Sequence, residues 1–169
     1  MALPSIEQLQ ERFINLADAS AGAEALFASD DFFADKSRML ASGEPEWREG
    51  VYDEHGKWMD GWESRRKREH GFDFCIVKLF GTGVIRAVDI DTRYFTGNYP
   101  PVASLMASRL DSDPDDNTEW TEILPPQPIL GDSHNIFEID NESAFSHLKL
   151  NIFPDGGVAR LRVFGEQNT

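Results

Sequence analysis

Apolar residues recur at helical spacing only near the start of the chain. Ile6, Leu9, Phe13 and Leu16 lie three, four and three positions apart, which sets them on one face of an α-helix. Ser5 followed by Gln8 forms a capping-box pattern, so the spacing predicts an amphipathic helix over 5–16. A second short helix is expected over 33–40. Beyond Leu40 the period changes to two. Residues 72–79 form a near-continuous apolar run, and Gly81-Thr82-Gly83 is expected to turn the chain into a second run over 84–90. Further strands are predicted over 103–110, 120–124, 136–139, 146–153 and 158–164. In the last two, Leu148, Leu150 and Ile152 face one way and Ala159, Leu161 and Val163 match them. Pro154-Asp155-Gly156-Gly157 between them reads as a hairpin.

About seven short strands without interleaved helices predict an all-β fold, an antiparallel β-sandwich. The 169 residues suit one domain over 1–169, with 1–20 as an N-terminal helical segment. Sixteen basic against thirty acidic side chains give a formal charge of −14, which argues against nucleic acid or an anionic membrane as partner. An anionic small molecule is compatible with local cations. The single cysteine, Cys75, sits in an apolar run and reads as a buried hydrophobe. With no secretory signal pattern and no membrane-length apolar stretch, a cytoplasmic protein is expected.

The segment Gly56-Lys57-Trp58-Met59-Asp60-Gly61-Trp62-Glu63-Ser64-Arg65-Arg66-Lys67 carries two tryptophans, two carboxylates and four cations. That mixture suits neither a core strand nor an ordinary surface loop. It fits a pocket wall, with Trp58 and Trp62 giving shape and Lys57, Arg65 and Arg66 orienting an anionic ligand. The bland alternative pairs Asp60 and Glu63 with Arg65, Arg66 and Lys67 on a solvated turn.

Histidines 55, 70, 134 and 147 lack metal-ligand spacing. His134, in a Gly-Asp-Ser-His loop, is the candidate for proton transfer. His147 reads as solvated or hydrogen-bonded structure. Asp89 and Asp91 alternate onto one side of a strand, where they suit cation binding, acid–base work or pairing with Arg65 and Arg66. Asn98 reads equally as a turn residue or a ligand contact. Asn151, Arg160 and Arg162 fall on polar faces of the final strands, and for the two arginines a solvated face is the simpler reading.

Taken in order, these clusters resemble the allantoicase family. The matching stretches are 26–33, 56–68, 89–101 and 147–163, the last reading His-Leu-Lys-Leu-Asn-Ile-Phe-Pro-Asp-Gly-Gly before Arg160-Leu161-Arg162-Val163. The resemblance implies a jelly-roll sandwich related to galactose-binding domains. It also implies hydrolysis of allantoate to ureidoglycolate and urea in purine breakdown. Members of the family resemble two such domains in tandem, and this chain matches the first.

With allantoate as the expected substrate, Arg65 or Arg66 suits its carboxylate. Glu63 or Asp60 suits a base, and His134 a general acid. Lys57, Trp58, Trp62, Asp91, Asn98, Asn151 and Arg160 complete the candidate binding set. No cofactor is expected; Arg65, Arg66 or Arg160 is expected to neutralise Asp89 and Asp91, with a divalent ion as the open alternative. A homo-oligomer, dimer or higher even number, is expected in place of the tandem pair. The alternatives are a non-catalytic metabolite-binding sandwich, half of a two-domain enzyme that is inactive alone, or a hydrolase of a related ureido acid.

Overall fold

The capping box forms, but it begins a helix shorter than the periodicity implies. In the computed structural model, which describes residues 3–168, helix α1 covers Ile6–Arg12. Ser5 Oγ accepts from Gln8 N, and the Gln8 side chain accepts from Ser5 N. Ile14–Asn15 then leaves the helix to pair as β1. Sheet contacts outweigh another helical turn: Leu16 N donates to Val163 O, and Val163 N to the Asn15 side chain. The expected second helix contracts to a 3₁₀ element, Lys36–Leu40, capped by Asp35.

Strand β2 is Glu24–Ala28. A small hairpin of β3 (Tyr52–Asp53) and β4 (Gly56–Lys57) precedes β5 (Trp62–Glu63). The largest correction follows. Gly81-Thr82-Gly83 does not turn the chain: β6 runs unbroken over Asp73–Asp91, 19 residues. After it come β7 (Val102–Ser108), β8 (Thr121–Pro128), β9 (Ile136–Glu138), β10 (Ala144–Phe153), β11 (Gly157–Val158) and β12 (Arg160–Gln167).

Strand β6 serves both layers of the sandwich. Its first half pairs with β2 on one edge and β10 on the other, and β10 continues to β7 and β8. Its second half pairs with β12 and β9. The glycines permit close approach at the crossover. A Cβ on Gly83 would lie 2.7 Å from Glu166 O, and one on Gly165 would lie 2.2 Å from Val84 O. The expected final hairpin is also corrected, because β6 separates β10 from β12. Residues 154–157 instead carry the chain from one side of β6 to the other.

Alternation fills the interior. Cys75, Val77, Leu148, Leu150 and Ile152 from the first layer meet Val88, Ile90, Leu161 and Val163 from the second. Cys75 is fully buried, and burial pushes its thiol up to about 12, so it is the inert core residue its surroundings imply. The antiparallel β-sandwich is as expected. No described helix is long and apolar enough to cross a membrane.

Gly165→Ala should cost about 1–3 kcal/mol, the usual penalty for forcing a methyl into a filled site. A denaturant melt monitored by circular dichroism checks this, and an unchanged midpoint would show that the crossover has room to spare.

Candidate active site

Two consecutive residues on β5 divide the labour that the sequence leaves undivided. Side chains alternate across a strand, so Trp62 and Glu63 point to opposite sides. Trp62 is fully buried and donates from Nε1 to Asp30 O at 2.8 Å. It belongs to the core, which corrects its expected place in a pocket wall. Glu63 faces outward into a cleft, held by backbone pairing with Ala34 on one side and Gly157 on the other.

The cleft has two adjoining hollows, of about 320 and 510 Å³. Phe33, Glu63 and Asn98 line both. Asn98 Nδ2 donates to Glu63 Oε2 at 3.0 Å. Burial pushes the Glu63 carboxyl above its ordinary range, and the Asn98 hydrogen bond offsets that only in part. The first hollow adds Lys57, His55, Trp47 and Tyr94; the second adds Arg66, Lys67 and Asp155. Arg66 has no ion-pair partner among the described residues. Lys67 is paired with Asp73 at 3.0 Å, and its backbone N donates to Asp155.

Glycine makes the floor possible. Gly156 sits at φ 135, a left-handed value, and a Cβ there would lie 2.7 Å from Pro100 N and 2.8 Å from Asn98 O. Gly157 N donates to Asn98 O at 2.8 Å. The Pro-Asp-Gly-Gly segment therefore locks the backbone of Asn98 beside Glu63.

Other candidates lie elsewhere. Asp60 receives both ends of the Arg160 guanidinium, at 3.0 and 2.9 Å, and also accepts from Glu46 N. Arg160 is only 3% exposed and donates further to the carbonyls of Arg38, Gly43 and Ala159. This pair clamps the loop before β5 onto β12 and does not line the cleft. Arg162, also buried, reaches Asp89 and Asp91 at 3.0 and 2.9 Å. The expected solvated face is therefore an internal ion-pair layer.

The partners of Asp89 and Asp91 are likewise not Arg65, Arg66 or Arg160. Arg162 bridges both, and Arg93 chelates Asp91 while also meeting Glu44. Burial alone would raise Asp91, but the Arg93 and Arg162 hydrogen bonds hold its carboxyl below the usual range. His134 Nδ1 lies 2.7 Å from Asp89 Oδ2, and that bond raises the imidazole above its ordinary value. Asp89, Asp91 and His134 converge closely enough to share a cation. Arg162 already occupies the position between the carboxylates, however, and His134 does not line the cleft.

Arg65 is exposed and paired with Asp30 at 2.8 Å, beside a third hollow that shares Arg66 and Lys67 with the second but lacks Glu63. Trp58 stands outside the cleft between Arg38 and Arg48, 5.2 and 4.0 Å from its ring. Asn151 lies on the outer face of β10, bonded to Ser104. His147 is buried, with Nδ1 2.7 Å from Ser146 Oγ.

Sequence reasoning missed Trp47, His55 and Tyr94. Lys57 lies 4.4 Å from the Trp47 ring, which is tilted against Tyr94 at 6.1 Å. His55 stacks on Phe32 at 4.1 Å, with Nδ1 2.7 Å from Phe32 O. The signal available was a tryptophan among charges in Glu-Pro-Glu-Trp-Arg-Glu, the same incongruity that marks 56–67.

A family model described as the allantoicase repeat matches residues 14–168. A probable allantoicase of Photobacterium profundum is 59% identical over 156 residues, covering 92% of this chain and 47% of that protein. The chain thus spans about half the length of the curated relatives it matches. The solved allantoicase of Saccharomyces cerevisiae aligns with a TM-score of 0.75 at 30% identity, over 91% of this chain and 43% of that one. A family 32 carbohydrate-binding module from Clostridium perfringens aligns at 0.63 with 15% identity, over 93% and 97%. At that identity only the fold is shared.

Two stability outcomes follow. Folding favours protonated Glu63, so its contribution is full below pH 4.5 and lost as pH rises through the raised folded value. Glu63→Gln should remove that loss and melt no lower than the parent at pH 7; a clearly lower melting temperature would contradict the burial argument. Arg160→Leu should strand Asp60 and cost about 3–5 kcal/mol in denaturant melts, with part regained in the Arg160→Leu/Asp60→Leu double variant.

Proposed function

This chain belongs to the allantoicase family, and we propose that its Glu63 cleft binds allantoate and releases urea from it. The observation that carries the reading is the partly buried Glu63 carboxyl, raised by desolvation and sharing its two hollows with Asn98, Lys57 and Arg66. An acid–base group works best with a pKa near the working pH, and burial moves a glutamate in that direction.

Allantoate carries one carboxylate and two ureido groups on a single carbon. In the reaction the bond from that carbon to one ureido nitrogen breaks, and a bond to a water oxygen forms. The departing nitrogen needs a proton and the water must lose one. Glu63 takes the proton from water and delivers it to the nitrogen, so the carboxylate is regenerated each cycle. Arg66, which lines the second hollow and has no ion-pair partner among the described residues, donates to the substrate carboxylate. Asn98 holds the Glu63 carboxylate and presents its amide to a ureido carbonyl. Trp47 and Tyr94 wall the first hollow. His55, inside that hollow, is nearer to this chemistry than His134, whose imidazole belongs to the Asp89 pair.

We extend the same proposal to the longer proteins of the family, of which this chain spans about half. Its test is urea release from allantoate compared with allantoin, whose ring is still closed. Urea is expected from allantoate alone, with the rate falling as pH drops through the raised Glu63 pKa. Glu63→Gln should lower turnover at least ~100-fold, within the range general acid–base groups supply, while allantoate still raises its melting temperature. No urea from allantoate, or unchanged turnover in Glu63→Gln, would overturn it.

A further inference from the structure

The first residue of the 147–157 motif is not used by the Glu63 cleft. On β10, Leu148, Leu150 and Ile152 face the core, which leaves His147 on the outer side of the strand. A polar side chain there would ordinarily meet water. His147 is instead only 2% exposed. Its register neighbours are Lys78 of β6 and Ser108 of β7, and the chain leaving β7 folds back over it. Leu110 N donates to Ser146 Oγ at 2.8 Å, and Asp113 Oδ1 stands 3.8 Å from His147 Nε2.

The two ring nitrogens meet different surroundings. Nδ1 lies 2.7 Å from Ser146 Oγ, and Leu110 O lies 3.2 Å from that same hydroxyl. The network is complete when Nδ1 donates to Ser146 Oγ and the serine proton goes to Leu110 O. Nε2 is then a bare lone pair, and it is buried without a hydrogen-bond partner. Such an acceptor is costly to leave unmet. It faces a hollow of about 160 Å³ that Lys78, Thr82, Asp111 and Asp113 also line. Burial pushes the imidazole below its ordinary value, against the pull of Asp113, so the ring is neutral at pH 7.

At 3.8 Å, Nε2 and Asp113 Oδ1 are too far apart for a hydrogen bond. The separation is close to that of two ligands on one ion. A nitrogen and an oxygen each about 2.1 Å from zinc stand ~3.4 Å apart at a tetrahedral angle. The Asp113 side chain is 66% exposed and can close the difference. We propose that His147 and Asp113 bind a divalent ion of the zinc class in this hollow, with Asp111 and water supplying the other donors. Imidazole beside carboxylate suits zinc, nickel or copper(II), whereas magnesium and calcium take oxygen ligands. The contact from Nδ1 to Ser146 is the outer bond that orients a ligating imidazole. Two carboxylates outweigh Lys78, the one cation of the lining, and the formal charge of −14 favours the approach of a cation. The ion ties the connection between β7 and β8 to β10. The hollow shares no lining residue with the Glu63 cleft, so the site stands apart from the reaction.

Isothermal titration calorimetry of the untagged chain with zinc chloride tests the proposal without reading activity. A first site of one ion per chain is expected, together with a rise in melting temperature that EDTA reverses. His147→Gln and Asp113→Asn should each weaken zinc binding at least ~10-fold, and Ser146→Ala about tenfold through the lost orienting bond. Asp113 is exposed, so its variant keeps the fold even where His147→Gln does not. His134→Gln removes the imidazole of the Asp89–Asp91 cluster and should leave the affinity unchanged. Magnesium at the same concentration should not compete. No zinc binding up to ~1 mM, the limit of weak affinity, would overturn the proposal. So would binding indifferent to Asp113→Asn, binding lost in His134→Gln instead, or equal competition by magnesium.

Discussion

The buried guanidinium of Arg160 is the contact on which the cleft depends. It grips both carboxylate oxygens of Asp60 and the carbonyls of Arg38, Gly43 and Ala159. The stretch between Leu40 and Gly61 has little regular structure of its own, only the two-residue strands Tyr52–Asp53 and Gly56–Lys57. Loops of this kind have few internal contacts to hold them, so an anchor to a rigid strand fixes their position. Arg162 adds a second anchor through Asp89, Asp91 and Glu44. The outer face of β12 is thus sealed by charges that satisfy one another, and the loop above it delivers Trp47, His55 and Lys57 to the cleft. A buried pair of this sort adds little net stability against an apolar replacement, but breaking half of it is costly. That asymmetry suits a positioning role.

The same geometry accounts for Glu63. With Trp62 locked in the core, strand alternation leaves Glu63 no choice of side. Gly156 and Gly157 bring the backbone of Asn98 against β5, so the carboxylate loses water on one side and gains a single amide donor. Desolvation with one neutral donor raises the pKa. Two or three donors or a cation would have lowered it, as Asp91 demonstrates a short distance along the chain. Two carboxyls in one molecule are therefore driven in opposite directions by their neighbours, one toward proton exchange and one toward permanent charge.

Much of the fold was legible because period-two alternation is local. The strands, the capped helix start and the core placement of Cys75 all follow from nearest neighbours in sequence. Gly81-Thr82-Gly83 misled because glycine serves turns and close backbone approach alike, and only the position of Glu166 and Leu16 decides between them. Arg160 and Arg162 misled for a similar reason. A polar face looks the same in sequence whether water or a loop covers it. In the 56–67 segment the location of chemistry was legible but the roles were not. Trp62 is core, Asp60 is an anchor, and the exposed ring that lines the cleft is Trp47, upstream of the segment. Partners such as Arg160 and Asp60 lie a hundred residues apart, beyond any periodic signal.

The central claim is that Glu63 is a desolvated carboxyl within an allantoate site, and a carboxyl-carbon NMR titration of Glu63 tests it most directly. With the resonance assigned by its loss in Glu63→Gln, the account predicts a pKa above the ordinary 4.5 and a clear displacement on adding allantoate. A pKa at or below that value, unmoved by allantoate, would contradict it.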